Sequence, residues 1–216
     1  MEKVLLVGIT GNFGSGKSEV AKVISNEGYP VIDSDSLAKR LMVESPELRK
    51  RIEEKFGKEV YQPDGNLNRQ WLAENVFAET SEAEEKLLQL NSIVHPYVLD
   101  ETERIINKLI EEGNSLIFFE SALIYEAGIE DLFDYIILVH TDKEKVIERL
   151  TSEGKYSKED IERRLKRQMS FEEKKKYADF VIINNGPREE LEKNVKFVVE
   201  MIKELQTIDD NSRDNS

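Results

Sequence analysis

The chain has 216 residues, 44 acidic against 31 basic, a formal charge of −13 and no cysteine. That length suits one α/β domain carrying insertions, while the missing cysteines exclude disulfides and thiolate metal sites. The acidity argues against the broad basic face that polymeric nucleic acid demands, and no apolar run approaches the roughly 20 residues of a membrane span.

In chain order, Val4 to Ile9 reads as a first strand, and no signal-like hydrophobic segment precedes it. A cytoplasmic protein is therefore expected. Gly11-Asn12-Phe13-Gly14-Ser15-Gly16-Lys17-Ser18 follows and satisfies G-x-x-x-x-G-K-[ST] at every fixed position. Its glycines let successive backbone N–H groups turn inward onto phosphate oxygens, and the helix expected from Lys17 adds its positive end. Lys17 is expected to reach the outer phosphates of a nucleoside triphosphate, and Ser18 to hold its Mg²⁺. Tyr29 to Ile32 is the second strand, with Asp33 and Asp35 just past it. In open α/β sheets ligands bind at that edge. A carboxylate there can take the proton of an attacking hydroxyl or contact the metal; alternatively Asp35 or Ser34 caps a helix starting near Leu37.

A long helical stretch follows, predicted as Leu37–Met42, Pro46–Phe56, Arg69–Phe77, Glu82–Val94 and Pro96–Glu112, with Pro96 opening its helix. The block 37–112 reads as an insertion that binds a second substrate. Leu116–Phe119, Tyr135–Val139 and Phe180–Ile183 are the remaining strands. Near-continuous apolar runs of this kind mark a parallel sheet covered on both faces. Residues 148–177 form a second, highly charged helical insertion, a candidate lid. A last helix from Pro187 to Leu205 shows Leu191, Val195, Val198, Val199 and Ile202 at helical spacing. The polar tail 207–216 is expected to be disordered.

The phosphate loop alone leaves the reaction open. The GTPase signature N-K-x-D is missing, since Asn107-Lys108-Leu109-Ile110 lacks the aspartate. A small-molecule kinase with a helical insertion and a lid fits best; another nucleotide kinase, or a nucleotide-dependent switch, remains as an alternative.

Taken together, the ordered motifs resemble the dephospho-CoA kinase family over residues 3 to about 205. They are Gly11 to Ser18, Val31-Ile32-Asp33-Ser34-Asp35 with Arg40, Asp64-Gly65-Asn66-Leu67-Asn68-Arg69, His95-Pro96, Gln168, Ala178-Asp179-Phe180 and Asn185-Gly186. The resemblance implies a P-loop kinase fold with a five-stranded parallel sheet. It also implies transfer of the ATP γ-phosphate to the 3′-hydroxyl of dephospho-CoA, with Mg²⁺ accompanying ATP and no oligomer specified. On it, Asp33 activates the hydroxyl, Lys17 and Ser18 serve the phosphates and metal, and Asp33 also faces the metal. Asp35, Arg40, Arg69 and His95 are expected to contact the acceptor; in the alternative, Arg40 is a solvated helix residue and His95 a packing one. The chain departs from the family's usual pattern in three places. Glu19, counted with Gly11 to Ser18 and Arg149 among the expected ATP-binding residues, stands where threonine is usual, in the first turn of the first helix. Glu153 stands where a lid arginine is usual, which leaves Arg149, Lys155, Arg163, Arg164 or Arg167 to meet the phosphates. Arg149 is the first candidate, because Arg163 and Arg164 have acidic neighbours, Glu159 and Asp160, four residues earlier. Glu120 to Ile124 replaces a Pro-Leu-Leu run.

Overall fold

A computed structural model describes residues 4–78, 80–154 and 156–214, with side chains to 208. The chain divides into two compact units, Met1–Asp33 with Lys108–Ser216, and Ser34–Asn107.

The first unit is a five-stranded parallel sheet in the order β2-β3-β1-β4-β5. Its strands are β1 (Leu5–Thr10), β2 (Val31–Asp33), β3 (Leu116–Glu120), β4 (Tyr135–His140) and β5 (Phe180–Ile183). The five expected strands all form. Four of them, β1, β2, β3 and β4, run one residue further than expected, so that Thr10, Asp33, Glu120 and His140 end strands rather than follow them. β1 lies at the centre, paired in parallel with β3 and β4. The loop after it therefore opens where connections leave for opposite sides of the sheet, the usual ligand crevice of such folds.

Helices α1 (Lys17–Asn26) and α9 (Arg188–Asp214) pack together on one face. Val20, Val23 and Ile24 of α1 join Leu191, Val195, Val198, Val199 and Ile202 of α9 over Leu5, Val7, Ile9, Phe118, Ile137 and Val139 of the sheet. The five apolar positions read from the sequence of α9 are all buried. Each such side chain, fully buried, contributes about 1.5–3 kcal/mol. α9 continues to Asp214 instead of ending near Leu205, so the tail expected to be disordered is helical through 214. No proline or glycine interrupts it there. Residues 215 and 216 lie outside the described residues.

The second unit holds α2 (Ser34–Glu44), α3 (Pro46–Phe56), α4 (Arg69–Asn75) and most of α5 (Ser81–Glu111). Ser45 and Asn68 cap α3 and α4 by accepting backbone N–H bonds from Leu48 and Trp71. The two helices expected on either side of Pro96 are one. Leu90, Val94, Val98 and Thr102 form a buried stripe at four-residue spacing that runs straight past the proline, which is itself exposed. A proline inside a helix costs about 3 kcal/mol through one lost hydrogen bond and a clash. Keeping that stripe in register offsets the loss. No described helix is long and apolar enough to cross a membrane.

Candidate active site

The phosphate loop connects β1 to α1 and is held from beneath. Thr141 Oγ1 donates to the carbonyls of Ser15 (2.9 Å) and Asn184 (3.0 Å), and Asn184 Nδ2 donates to the same Ser15 carbonyl (3.0 Å). Gly11 and Gly16 have φ of 154° and 90°. A Cβ on Gly11 would come within 2.3 Å of the Val139 carbonyl oxygen, and one on Gly16 within 2.1 Å of Asn184 Nδ2. Both glycines are thus required by closeness as well as by dihedral. The far end of the loop is tied to the candidate lid, 148–177: Phe13 N–H donates to Gln168 Oε1 (2.7 Å), and Asn12 Nδ2 donates to the Met169 carbonyl (2.9 Å). Gly14 completes the turn, and Ser15 is buried.

Lys17 Nζ folds back over the loop, donating to the carbonyls of Gly11 (2.9 Å) and Asn12 (3.3 Å). An ammonium held by carbonyl oxygens in this way can exchange them for the oxygens of an anion. The Ser18 hydroxyl donates to Glu120 Oε1 at 3.0 Å. Glu120 is 7% exposed and pairs in register with Asp33 across β2 and β3. Ser18, Glu120 and Asp33 therefore combine a hydroxyl with two carboxylates on neighbouring strand ends. Such an all-oxygen set suits the Mg²⁺ that accompanies a nucleoside triphosphate, a hard cation that keeps few protein ligands and takes phosphate oxygens and water for the rest. Among the described residues no group of three or more His, Cys, Asp or Glu side chains is placed to hold a metal, so an ion at Ser18, Glu120 and Asp33 would complete its shell with other oxygens. Glu120 was not singled out as a site residue from sequence. Its signal was available in the break from the family's usual run after β3, but its partner Ser18 is 102 positions away.

Asp33 ends β2 and directly precedes α2, whose N-terminal turn carries Asp35. The capping alternative placed the helix start near Leu37; it starts at Ser34, so Asp35 lies inside the first turn. Glu19 turns away from the loop to pair with Lys22 at 2.8 Å, and its N–H bonds the Gly16 carbonyl.

The candidate lid, 148–177, takes in the end of α6 (Lys143–Ser152) together with α7 (Lys158–Lys166) and α8 (Phe171–Lys174). Ser157 with Asp160, and Ser170 with Glu173, form capping boxes at the starts of α7 and α8. Arg149, in the last turn of α6, brings Nη1 to 3.9 Å from where a Cβ on Gly16 would stand, and it has no ion-pair partner among the described residues. The expected Asp160–Arg164 pair does not form. Asp160 is engaged by the Ser157 box and by Arg163, one residue earlier than the i,i+4 spacing suggested. Arg164 instead lies 5.0 Å from the ring centres of both Phe13 and Tyr156, which meet edge to face at 5.1 Å. Such contacts contribute about 0.5–1 kcal/mol at an exposed site, and here they lay a lid arginine over the phosphate loop. Lys155 lies outside the described residues.

Within the second unit, Asp35, Arg40, Arg69 and His95 are all exposed. Arg40 pairs with Glu101 at 3.4 Å and Glu44 at 3.9 Å. Arg69 opens α4 at the end of a turn that Arg49 braces: its guanidinium bonds the Gly65 carbonyl and lies 4.3 Å from the Tyr61 ring. Burial pushes the Tyr61 phenol up to about 12, and its hydroxyl is a donor to the Met42 carbonyl. His95 sits beside Pro96 on α5.

The model of the dephospho-CoA kinase family matches residues 5–190. The chain belongs to that family. It is 39% identical to the dephospho-CoA kinase of Listeria monocytogenes over 197 residues, 91% of this chain and 95% of that one. The crystal structure of TT1252 from Thermus thermophilus is similar at a TM-score of 0.74 and 34% identity, covering 93% of this chain and 98% of that one. The dephospho-CoA kinase from Campylobacter jejuni is similar at a TM-score of 0.65 and 27% identity, covering 91% and 96%. Membership of this family accounts for the ordered motifs from Gly11 to Gly186, of which the phosphate loop is one.

Proposed function

We propose that this chain moves the γ-phosphoryl group of ATP onto the 3′-hydroxyl of dephospho-CoA, the final step of coenzyme A biosynthesis. The family match over nearly the whole chain carries this reading. The joining of Ser18 to Glu120 beside Asp33 supports its chemistry. Lys17 neutralises charge on the transferring group, and the backbone of Gly11 to Ser18 cradles the phosphates. Ser18 and Asp33 would hold the ATP-borne magnesium together with Glu120, and when bound that ion supplies charge neutralisation between the phosphates. Asp33 takes the proton of the attacking hydroxyl; a carboxylate at the strand end in register with Glu120 suits a base for an alcohol. Asp35, Arg40, Arg69 and His95 contact the acceptor, whose diphosphate suits arginine. Residues 37–112 serve as the acceptor-binding block and 148–177 as the lid, which closes over ATP with Arg149 and excludes water. The cytoplasm is the compartment we assign, with ATP and dephospho-CoA as partners and neither nucleic acid nor membrane among them.

A coupled ADP-release assay across dephospho-CoA, adenosine, AMP and pantetheine phosphates tests the reading. ADP formation should depend on dephospho-CoA. Slow ATP hydrolysis that no acceptor stimulates would overturn the kinase assignment and favour the nucleotide switch.

A further inference from the structure

Lys174 is a fully buried lysine that the chemistry above does not use. Its side chain is 0% exposed and lies at the end of α8. An ammonium is withdrawn from water only where oxygens replace its hydration, and here two do. Nζ donates to the Ala122 carbonyl at 3.1 Å and pairs with Glu126 Oε1 at 2.9 Å. Both acceptors lie on the segment after β3. The same oxygen of Glu126 accepts the backbone N–H of Met169 at 2.9 Å. Met169 in turn offers its carbonyl to Asn12 Nδ2, and its neighbour Gln168 accepts the Phe13 N–H. The Met169 side chain also packs on Ile124, Tyr125 and Ile136.

These bonds form one chain of contacts. It starts at a buried charge, passes through a single carboxylate oxygen to the lid exit, and ends on two residues of the phosphate loop. We propose that Lys174 and Glu126 are positioning residues for the nucleotide: by fixing Gln168 and Met169 they hold Asn12 and Phe13 in the shape that receives phosphate. The inference rests on the phosphate loop binding ATP, as in the function proposed above, but not on the identity of the acceptor.

Its mechanism is specific about which atom matters. Glu126 Oε1 serves Lys174 and Met169 at once. Removing the carboxylate releases Met169 and leaves a buried ammonium with one acceptor, whereas a glutamine keeps an amide oxygen for Met169 and loses only the charge. Lys174→Met leaves the Met169 bond possible but no longer holds Glu126 in place.

The test is equilibrium binding of MgATP and MgADP to the full chain by titration calorimetry, with the unfolding midpoint measured in parallel, so that no acceptor turnover is needed. Glu126→Ala and Lys174→Met should each weaken nucleotide binding about tenfold, and Glu126→Gln no more than about threefold. Asn12→Ala combined with Glu126→Ala should lose little more affinity than Asn12→Ala alone, because both act on one chain of bonds. In turnover assays the KM for ATP should rise while the KM for dephospho-CoA stays within about twofold. If Lys174→Met does not fold, the contrast between Glu126→Ala and Glu126→Gln decides the matter alone. Folded variants that bind nucleotide like wild type, or affinity losses that simply multiply in the double variant, would overturn the proposal. Failure of wild type to use dephospho-CoA would overturn the proposed acceptor and leave this inference standing.

Discussion

Asp33 and Asp35 are chemically identical residues with different local fates. Asp33 ends a strand beside Glu120 and next to the phosphate loop's own strand pair, while Asp35 is exposed in the first turn of α2. In that first turn a carboxylate is also favoured by the helix dipole, a structural role that needs no substrate. Asp33→Asn keeps the shape and removes the proton acceptor, so kcat should fall about a hundredfold or more with ATP affinity much less affected. Asp35→Asn should change kcat far less. Steady-state kinetics with both substrates varied checks the pair, and a larger loss at Asp35 would reverse the roles. Glu19, two residues from Lys17, illustrates the same dependence on local partners: it is paired with Lys22, one turn along its own helix.

The lid gives the corresponding argument at the scale of elements. Charge spacing along α7 suggested that Arg163 and Arg164 were both matched on their own helix. In the fold, the Ser157 capping box draws Asp160 to the start of the helix. Arg163 shares Asp160, and Arg164 is left to lie over Phe13 and Tyr156. Capping competes with side-chain pairing for the same carboxylate, and spacing alone does not show which prevails. Arg149 keeps its place at the loop on separate grounds, since its guanidinium is beside Gly16. Arg149→Ala should therefore lower kcat most among the lid variants, about tenfold or more. Arg164→Ala should act mainly on the KM for ATP through Phe13, and Arg163→Ala should do little. Glu153→Arg, at the end of α6, should be neutral or activating. Kinetics of the four variants at saturating dephospho-CoA checks the ranking; an unaffected Arg149→Ala beside a crippled Arg163→Ala would discard it.

Across the whole molecule, what was legible in the sequence was whatever a local pattern encodes. The phosphate loop, the five apolar strands and the stripe of α9 each depend on neighbours in sequence. Glu120, Thr141, Asn184 and Lys174 were missed as supports of the site because their partners lie across the sheet, tens to more than a hundred positions away. The break at Pro96 was misread because a local rule for proline yielded to a buried stripe thirteen residues long, from Leu90 to Thr102. His140 is a further long-range case, and it gives the molecule a pH response. It ends β4 with its ring stacked 3.7 Å from that of Phe171 on α8. Burial lowers its pKa, Lys175 adds to that, and Asp142 and Glu172 oppose it. The unfolded chain therefore takes up a proton near pH 6.5, the ordinary value for histidine, where the folded chain does not yet do so. Stability should fall as pH drops below about 6.5, and the loss should stop growing once the pH is below the native value. Glu82, Glu101, Glu162 and Glu173 act in a separate window. Hydrogen bonds from Lys86, Arg104, Lys143 and Ser170 lower their pKa values, so their contribution is present above the ordinary carboxylate range and is lost as pH falls through their lower native values. His140→Phe keeps a ring on Phe171 and removes the titration. Urea unfolding midpoints at about pH 7.5, 5.5 and 3.5 should show the upper decline in wild type and its absence in the variant, with the lower decline present in both. A wild-type midpoint that does not change between the two higher pH values would show that the native imidazole protonates as readily as the unfolded one.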